Sequence, residues 1–169
     1  LLIQKHYKKA YELYEKYLAL DNQDINLNLI LNFVLKKFQV CLNLIDKYNL
    51  PNFELISVHS RYKIKSWKEN KKYFKNNFEE YNTNIKMLIL DYFYENKEYT
   101  FCTQKYIEIA EEIINNKIIV SKEIVLVIAH NLKSQNNSSL ADKLIEFYWN
   151  KNPNKENFDI GLSYSKQLY

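Results

Sequence analysis

Residues 121–150 read SKEIVLVIAHNLKSQNNSSLADKLIEFYWN, and their pattern decides the fold class. Ser121 stands where a helix N-cap is wanted, and Glu123 lies in the first turn, where a carboxylate meets the positive end of the helix. Val120 and Val125 are spaced for a hydrophobic staple. Ile124, Val125, Val127, Ile128 and Leu132 form an apolar face wide enough to be covered on more than one side. The polar run 133–137 interrupts it, with Asn136 or Asn137 placed to take the left-handed conformation that glycine usually supplies. Ser138 or Ser139 then caps a second segment, with Asp142 in its first turn. Its Leu140, Ala141, Leu144, Ile145 and Tyr148 recur at helical spacing. Two antiparallel helices with facing apolar stripes, a helical hairpin, are the expected unit.

The rest of the chain extends that unit. Helical segments are expected at 4–20, 25–37, 40–48, 53–65, 67–81, 84–94 and 101–115, followed by 121–133, 138–150 and a last one at 158–169. A small residue recurs in the second helices at Ala10, Cys41, Thr103 and Ala141, with a degenerate copy at Asn70. Three and four positions later come large apolar pairs, Leu13 and Tyr14, Leu44 and Ile45, Tyr106 and Ile107, Leu144 and Ile145. The small residue lets neighbouring helices approach while the large pair fills the groove beside it. The expected fold is all-α: a right-handed α-solenoid of stacked antiparallel helical hairpins, about ten helices in one array over 1–169. The chain begins Leu1-Leu2 without an initiator methionine, so it reads as a fragment of a longer array.

Composition agrees with a helical core. One glycine (Gly161) and two prolines (Pro51, Pro153) are too few for a turn-rich β fold or a glycine-rich phosphate loop. No apolar run approaches the ~18 residues that a membrane span requires. Cys41 and Cys102 sit at apolar-periodic positions and offer no disulfide framework, which points to a reducing, intracellular compartment. Lys, Asn, Ile, Tyr and Phe, whose codons are built of A and T, are abundant, so the amount of lysine says less than its distribution.

The second-helix pattern, carried best by Ala141-Asp-Lys-Leu144-Ile145-Glu-Phe-Tyr148 and Ala10-Tyr-Glu-Leu13-Tyr14-Glu-Lys-Tyr17, resembles the pentatricopeptide repeat family and, more loosely, the tetratricopeptide repeats. The first resemblance implies an α-solenoid that binds single-stranded RNA in mitochondria or plastids. The turn glycine of that family, five residues before the small residue, is here Lys5, Lys36, Lys65, Glu98 and Asn136. Its base-reading position falls at Asn26, Leu55, Leu88 and Leu126, of which only Asn26 can hydrogen-bond a base edge. RNA contact is therefore expected with backbone or folded RNA rather than one base per repeat.

Charge places the expected contact. Residues 61–75 hold Arg61, Lys63, Lys65, Lys68, Lys71, Lys72 and Lys75 against Glu69 alone, net +6 in a chain of net +4. Residues 76–112 hold eight carboxylates against three lysines, net −5. Lys68, Lys71, Lys72 and Lys75 share one helix face, opposite Trp67, Asn70, Phe74, Phe78 and Tyr81. Such a stripe neutralises phosphates, and Tyr62 is the residue expected to stack on a base. The candidate RNA-binding set is thus Arg61, Tyr62, Lys63, Lys65, Lys68, Lys71, Lys72 and Lys75. His6, His59 and His130 match no metal-site spacing, so no enzyme, cofactor or small-molecule substrate is expected. The functional expectation is a non-catalytic scaffold for RNA or a ribonucleoprotein, with a tetratricopeptide-like protein adaptor or a structural subunit of a large complex as the alternative.

Overall fold

The structure, a computed structural model, describes Glu12 and residues 25–151. Among the described residues there are eight α-helices, two short 3-10 turns and no strand. The helices are α1 Ile25–Val34, α2 Phe38–Tyr48, α3 Glu54–Ile64, α4 Trp67–Asn77, α5 Thr83–Glu95, α6 Tyr99–Asn116, α7 Lys122–Ser134 and α8 Ser138–Lys151. The 3-10 turns are Pro51–Phe53 and Phe78–Glu80. The helices expected at 4–20 and 158–169 lie outside the described residues. None of the helices described is long and apolar enough to cross a membrane.

The chain divides into two compact units, Leu1–Asn77 and Phe78–Tyr169. In the first, α1 packs on α2 and α2 on α3. Leu29, Cys41 and Ile56 form its buried centre, flanked by Phe33, Leu44, Ile45, Leu50 and Phe53. In the second, α5 packs on α6, α6 on both α7 and α8, and α7 on α8. Its core is built from Ile89, Leu90 and Phe93 of α5, Ile109, Ala110 and Ile113 of α6, Ile128 and Leu132 of α7, and Ala141 and Leu144 of α8.

Three hairpins turn in the same way. Lys36, Lys97 and Asn136 adopt φ of 60°, 63° and 60°, the left-handed conformation. The next amide in each closes back on the helix it leaves: Lys37 N to Asn32 O (2.8 Å), Glu98 N to Phe93 O (2.9 Å) and Asn137 N to Leu132 O (2.9 Å). These are Schellman ends, which satisfy carbonyls that the helix itself leaves open. Each left-handed residue stands five positions before a buried small residue, Cys41, Cys102 or Ala141.

The second of these corrects the sequence register by one place. Thr103 is half-buried and its hydroxyl is spent on Tyr99 O at 2.9 Å. Cys102 is 2% exposed, with Sγ 3.5 Å from Leu90 O, as Cys41 Sγ lies 3.8 Å from Leu29 O. Both are the close approach that a small residue permits. The corresponding turn residue is therefore Lys97 rather than Glu98, and the position fifteen residues before the small residue moves from Leu88 to the buried Met87.

The α3–α4 hairpin closes differently. Lys65 is extended, and Ser66 and Glu69 form a capping box, Ser66 N to Glu69 Oε2 at 3.1 Å and Glu69 N to Ser66 Oγ at 3.4 Å. The buried Asn70 takes the small-residue place and donates Nδ2 to Tyr62 O and Lys65 O, at 3.3 and 3.1 Å. A side-chain amide thus answers the α3 carbonyls that a left-handed turn answers elsewhere.

A non-glycine residue in the left-handed region costs about 1–2 kcal/mol. Lys97→Gly is therefore expected to stabilise the protein by about 0.5–1 kcal/mol after the added freedom of the unfolded chain is subtracted. Lys143→Gly, at an exposed position inside α8, should destabilise it by about 1 kcal/mol. Urea unfolding followed by circular dichroism gives both signs.

Candidate functional site

The cationic segment folds as the end of α3, the α3–α4 turn and α4, within the first unit. Lys63, Lys65, Lys68, Lys72 and Lys75 are exposed and Lys71 is half-buried. Behind them Asn70 and Phe74 are buried, so the helix turns its lysines outward as its periodicity predicts. Lys65, Lys68 and Lys72 form no ion pair among the described residues. Glu69 points its carboxylate at Ser66, whose hydroxyl and amide hold it below the usual carboxylate range.

Arg61 and Tyr62 of the candidate set lie against neighbouring aromatic rings. The Arg61 guanidinium lies 3.7 Å from the centre of the Tyr73 ring. Tyr62 is half-buried, with its ring edge against Trp67 at 6.3 Å and the Lys63 ammonium 5.2 Å from its centre. Both stiffen the hairpin, and the exposed part of the candidate surface is the lysines.

The acidic segment contains a feature that sequence reasoning missed. The Lys86 side chain is 7% exposed and sits 3.4 Å from Glu79 and 3.3 Å from Glu112. Lys105 reaches Glu79 at 2.5 Å and Glu108 at 2.6 Å. Both ammonium groups also approach the Phe78 ring, at 5.9 and 5.2 Å. Hydrogen bonding from Lys105 is the chief reason the Glu79 carboxyl lies below its ordinary range. Burial opposes the charge on Lys105, but hydrogen bonds to Glu108 and Glu79 outweigh it and raise its pKa.

The pH consequence has a definite sign. Glu79, with a depressed folded pKa, stabilises the fold above its unfolded pKa of ~4.3, and that contribution disappears as pH falls through the folded value. Lys105, with a raised one, stabilises the fold below ~10.4 and loses its contribution as pH rises through the folded value. Glu79→Gln is expected to cost about 1 kcal/mol at pH 7, limited by screening of an exposed carboxylate, and nothing near pH 2. Denaturation midpoints across an acid series check this.

A groove of about 530 Å³ opens in the second unit between α5, the start of α6 and α7. Asp91 and Tyr94 line it from α5, Tyr99, Thr103 and Tyr106 from α6, and Val127, His130, Asn131 and Ser134 from α7, with Gln135 at its end. Tyr94 and Tyr99 are 55% and 50% exposed, their rings edge to face at 5.1 Å. Val127, read from sequence as part of a wide core face, is exposed here instead. Asp91 makes no ion pair among the described residues. Desolvation, then the charge of Glu95, pushes its carboxyl above the usual range. Tyr106 is buried, and that burial raises its phenol pKa, so the hydroxyl keeps its proton.

The remaining reactive groups are packed. Cys41 and Cys102 are free and buried; burial raises both thiols, Cys102 to about 11, so neither is a ready nucleophile. His59 sits edge-on to Phe33 and Phe38, at 5.5 and 5.6 Å. Among the described residues no three His, Cys, Asp or Glu side chains are grouped to hold a metal ion. Comparison of the chain with protein-family models, curated proteins and solved structures gives no match.

Proposed function

We propose that the chain is a non-catalytic helical-repeat scaffold, its hairpins stacked as a right-handed solenoid of the pentatricopeptide and tetratricopeptide kind. It associates with RNA or a ribonucleoprotein through Lys63, Lys65, Lys68, Lys71, Lys72 and Lys75. The supporting observation is the outward lysine stripe of α4, in a segment, 61–75, where Glu69 is the only carboxylate. Recurrence of one turn geometry at a fixed distance from the anchors Cys41, Cys102 and Ala141 supports the repeat. Leu55 and Leu126 at the base-reading places favour contact with phosphate over reading of bases.

Filter binding of a folded RNA and of a mixed-sequence single strand over a salt series tests this. Retention should fall steeply with salt and differ little between sequences. No retention at low salt would overturn the RNA reading. The groove of the second unit favours a second reading, a tetratricopeptide-like adaptor that holds a segment of a protein partner between α5, α6 and α7.

A further inference from the structure

The polar groups of the groove are unequally committed. Thr103 Oγ1 donates to Tyr99 O at 2.9 Å, Asn131 Nδ2 to Val127 O at 2.8 Å, and Ser134 Oγ to Asn131 O at 2.8 Å. These side chains thus turn hydrogens back onto their own helices, and their oxygens retain accepting capacity. Gln135 Oε1 is buried without a donor. Asp91 adds a carboxylate with no counter-cation among the described residues, and the Tyr94 and Tyr99 rings add exposed π faces. Acceptors and π faces together attract a cation rich in donors.

We propose that this groove receives an arginine side chain from a protein partner, its guanidinium set against the Tyr94 and Tyr99 rings and bonded to Asp91 and the neighbouring acceptor oxygens. Arginine fits better than lysine because it is planar, carries five donors in a fixed fork, stacks on aromatic rings and gives up hydration more easily. The groove volume, about 530 Å³, falls within the ~300–1,000 Å³ typical of ligand sites and leaves room for backbone on either side of the arginine. The surrounding segment 76–112, net −5, adds a field of the right sign. The inference rests on the adaptor reading and sharpens it. It does not depend on the lysine stripe, which belongs to the other unit.

Calorimetric titration of the full chain with blocked pentapeptides tests it, each holding one central arginine, lysine, norleucine or glutamate between glycines. The arginine peptide should bind, the lysine peptide should be weaker by about fivefold or more, and the other two should give no signal. Asp91→Asn should weaken the arginine peptide about tenfold and Tyr99→Ala about fivefold. Glu111→Gln, an exposed acid of α6 outside the groove, should change nothing. Equal binding of arginine and norleucine peptides, lost on Tyr99→Ala, would overturn the arginine assignment and keep the adaptor reading. Equal losses in Asp91→Asn and Glu111→Gln would also overturn it, since attraction would then be diffuse. Absence of binding by all four peptides would overturn both.

Discussion

Changing Lys68, Lys71, Lys72 and Lys75 together to glutamate is expected to abolish RNA retention at 0.1 M salt, a loss of more than about a hundredfold. Each phosphate neutralised on a single strand contributes about −0.7 to the slope of log K against log salt. Four contacts would give a slope near −2.8, so a fourfold rise in salt weakens binding by about fiftyfold. Charge reversal removes that gain and adds repulsion. The glutamine quadruple variant should lose that part of the slope without the repulsion and fall between the two. Arg61→Gln should behave differently: its guanidinium covers Tyr73, so the change should lower stability and leave the salt slope nearly untouched. A quadruple glutamate variant that retains its circular dichroism and binds RNA like the parent would remove the lysine stripe from the interface.

The helices were legible because each has an apolar face at helical spacing and a polar break at its end. The expected segment 84–94 falls one residue short of α5 at each end, and 138–150 one residue short of α8 at its C-terminal end. Left-handed turn geometry was legible where asparagine stands, as at Asn136, since asparagine tolerates φ > 0. Nothing in a lysine announces that Lys36, Lys97 and Lys117 do the same; a glycine-poor chain places them there, and only the backbone reveals it. The slip between Thr103 and Cys102 arose because adjacent small residues look alike, whereas a one-residue step on a helix turns a side chain by about 100°. Lys86 was hidden for another reason. A lysine among carboxylates reads as a solvated face, and the partner that neutralises it, Glu112, is 26 residues away on another helix. The groove was hidden likewise: Tyr94, Tyr99 and Tyr106 all recur at helical spacing, and spacing alone cannot separate a tyrosine that fills a core from one that borders an opening. The outward lysines of α4 were legible because charge needs no tertiary partner to prefer water.

Phe93→Ala is expected to destabilise the second unit by about 3–5 kcal/mol. The ring is fully buried, stacks on Phe101 at 4.3 Å and 32°, and Phe101 in turn meets Phe78 edge-on at 5.6 Å. The Phe93 carbonyl also accepts the closing bond of the α5–α6 turn from Glu98 N at 2.9 Å. The main-chain bond survives truncation, so the loss comes from the vacated volume. Partial collapse would move Phe78 and Phe101, and with them the ring surface beneath Lys86 and Lys105. That coupling resists relaxation, which places the cost toward the upper part of the range for buried aromatics. Phe93→Leu, which restores most of the volume, should cost about 1–2 kcal/mol. Two compact units need not unfold together, so urea midpoints should be read beside amide exchange, with exchange in α5 and α6 accelerated and that in α1 and α2 unchanged. A cost under about 1 kcal/mol for the alanine variant would mean that Phe93 fills no tightly packed site and that the α5–α6 hairpin is held by its turn alone.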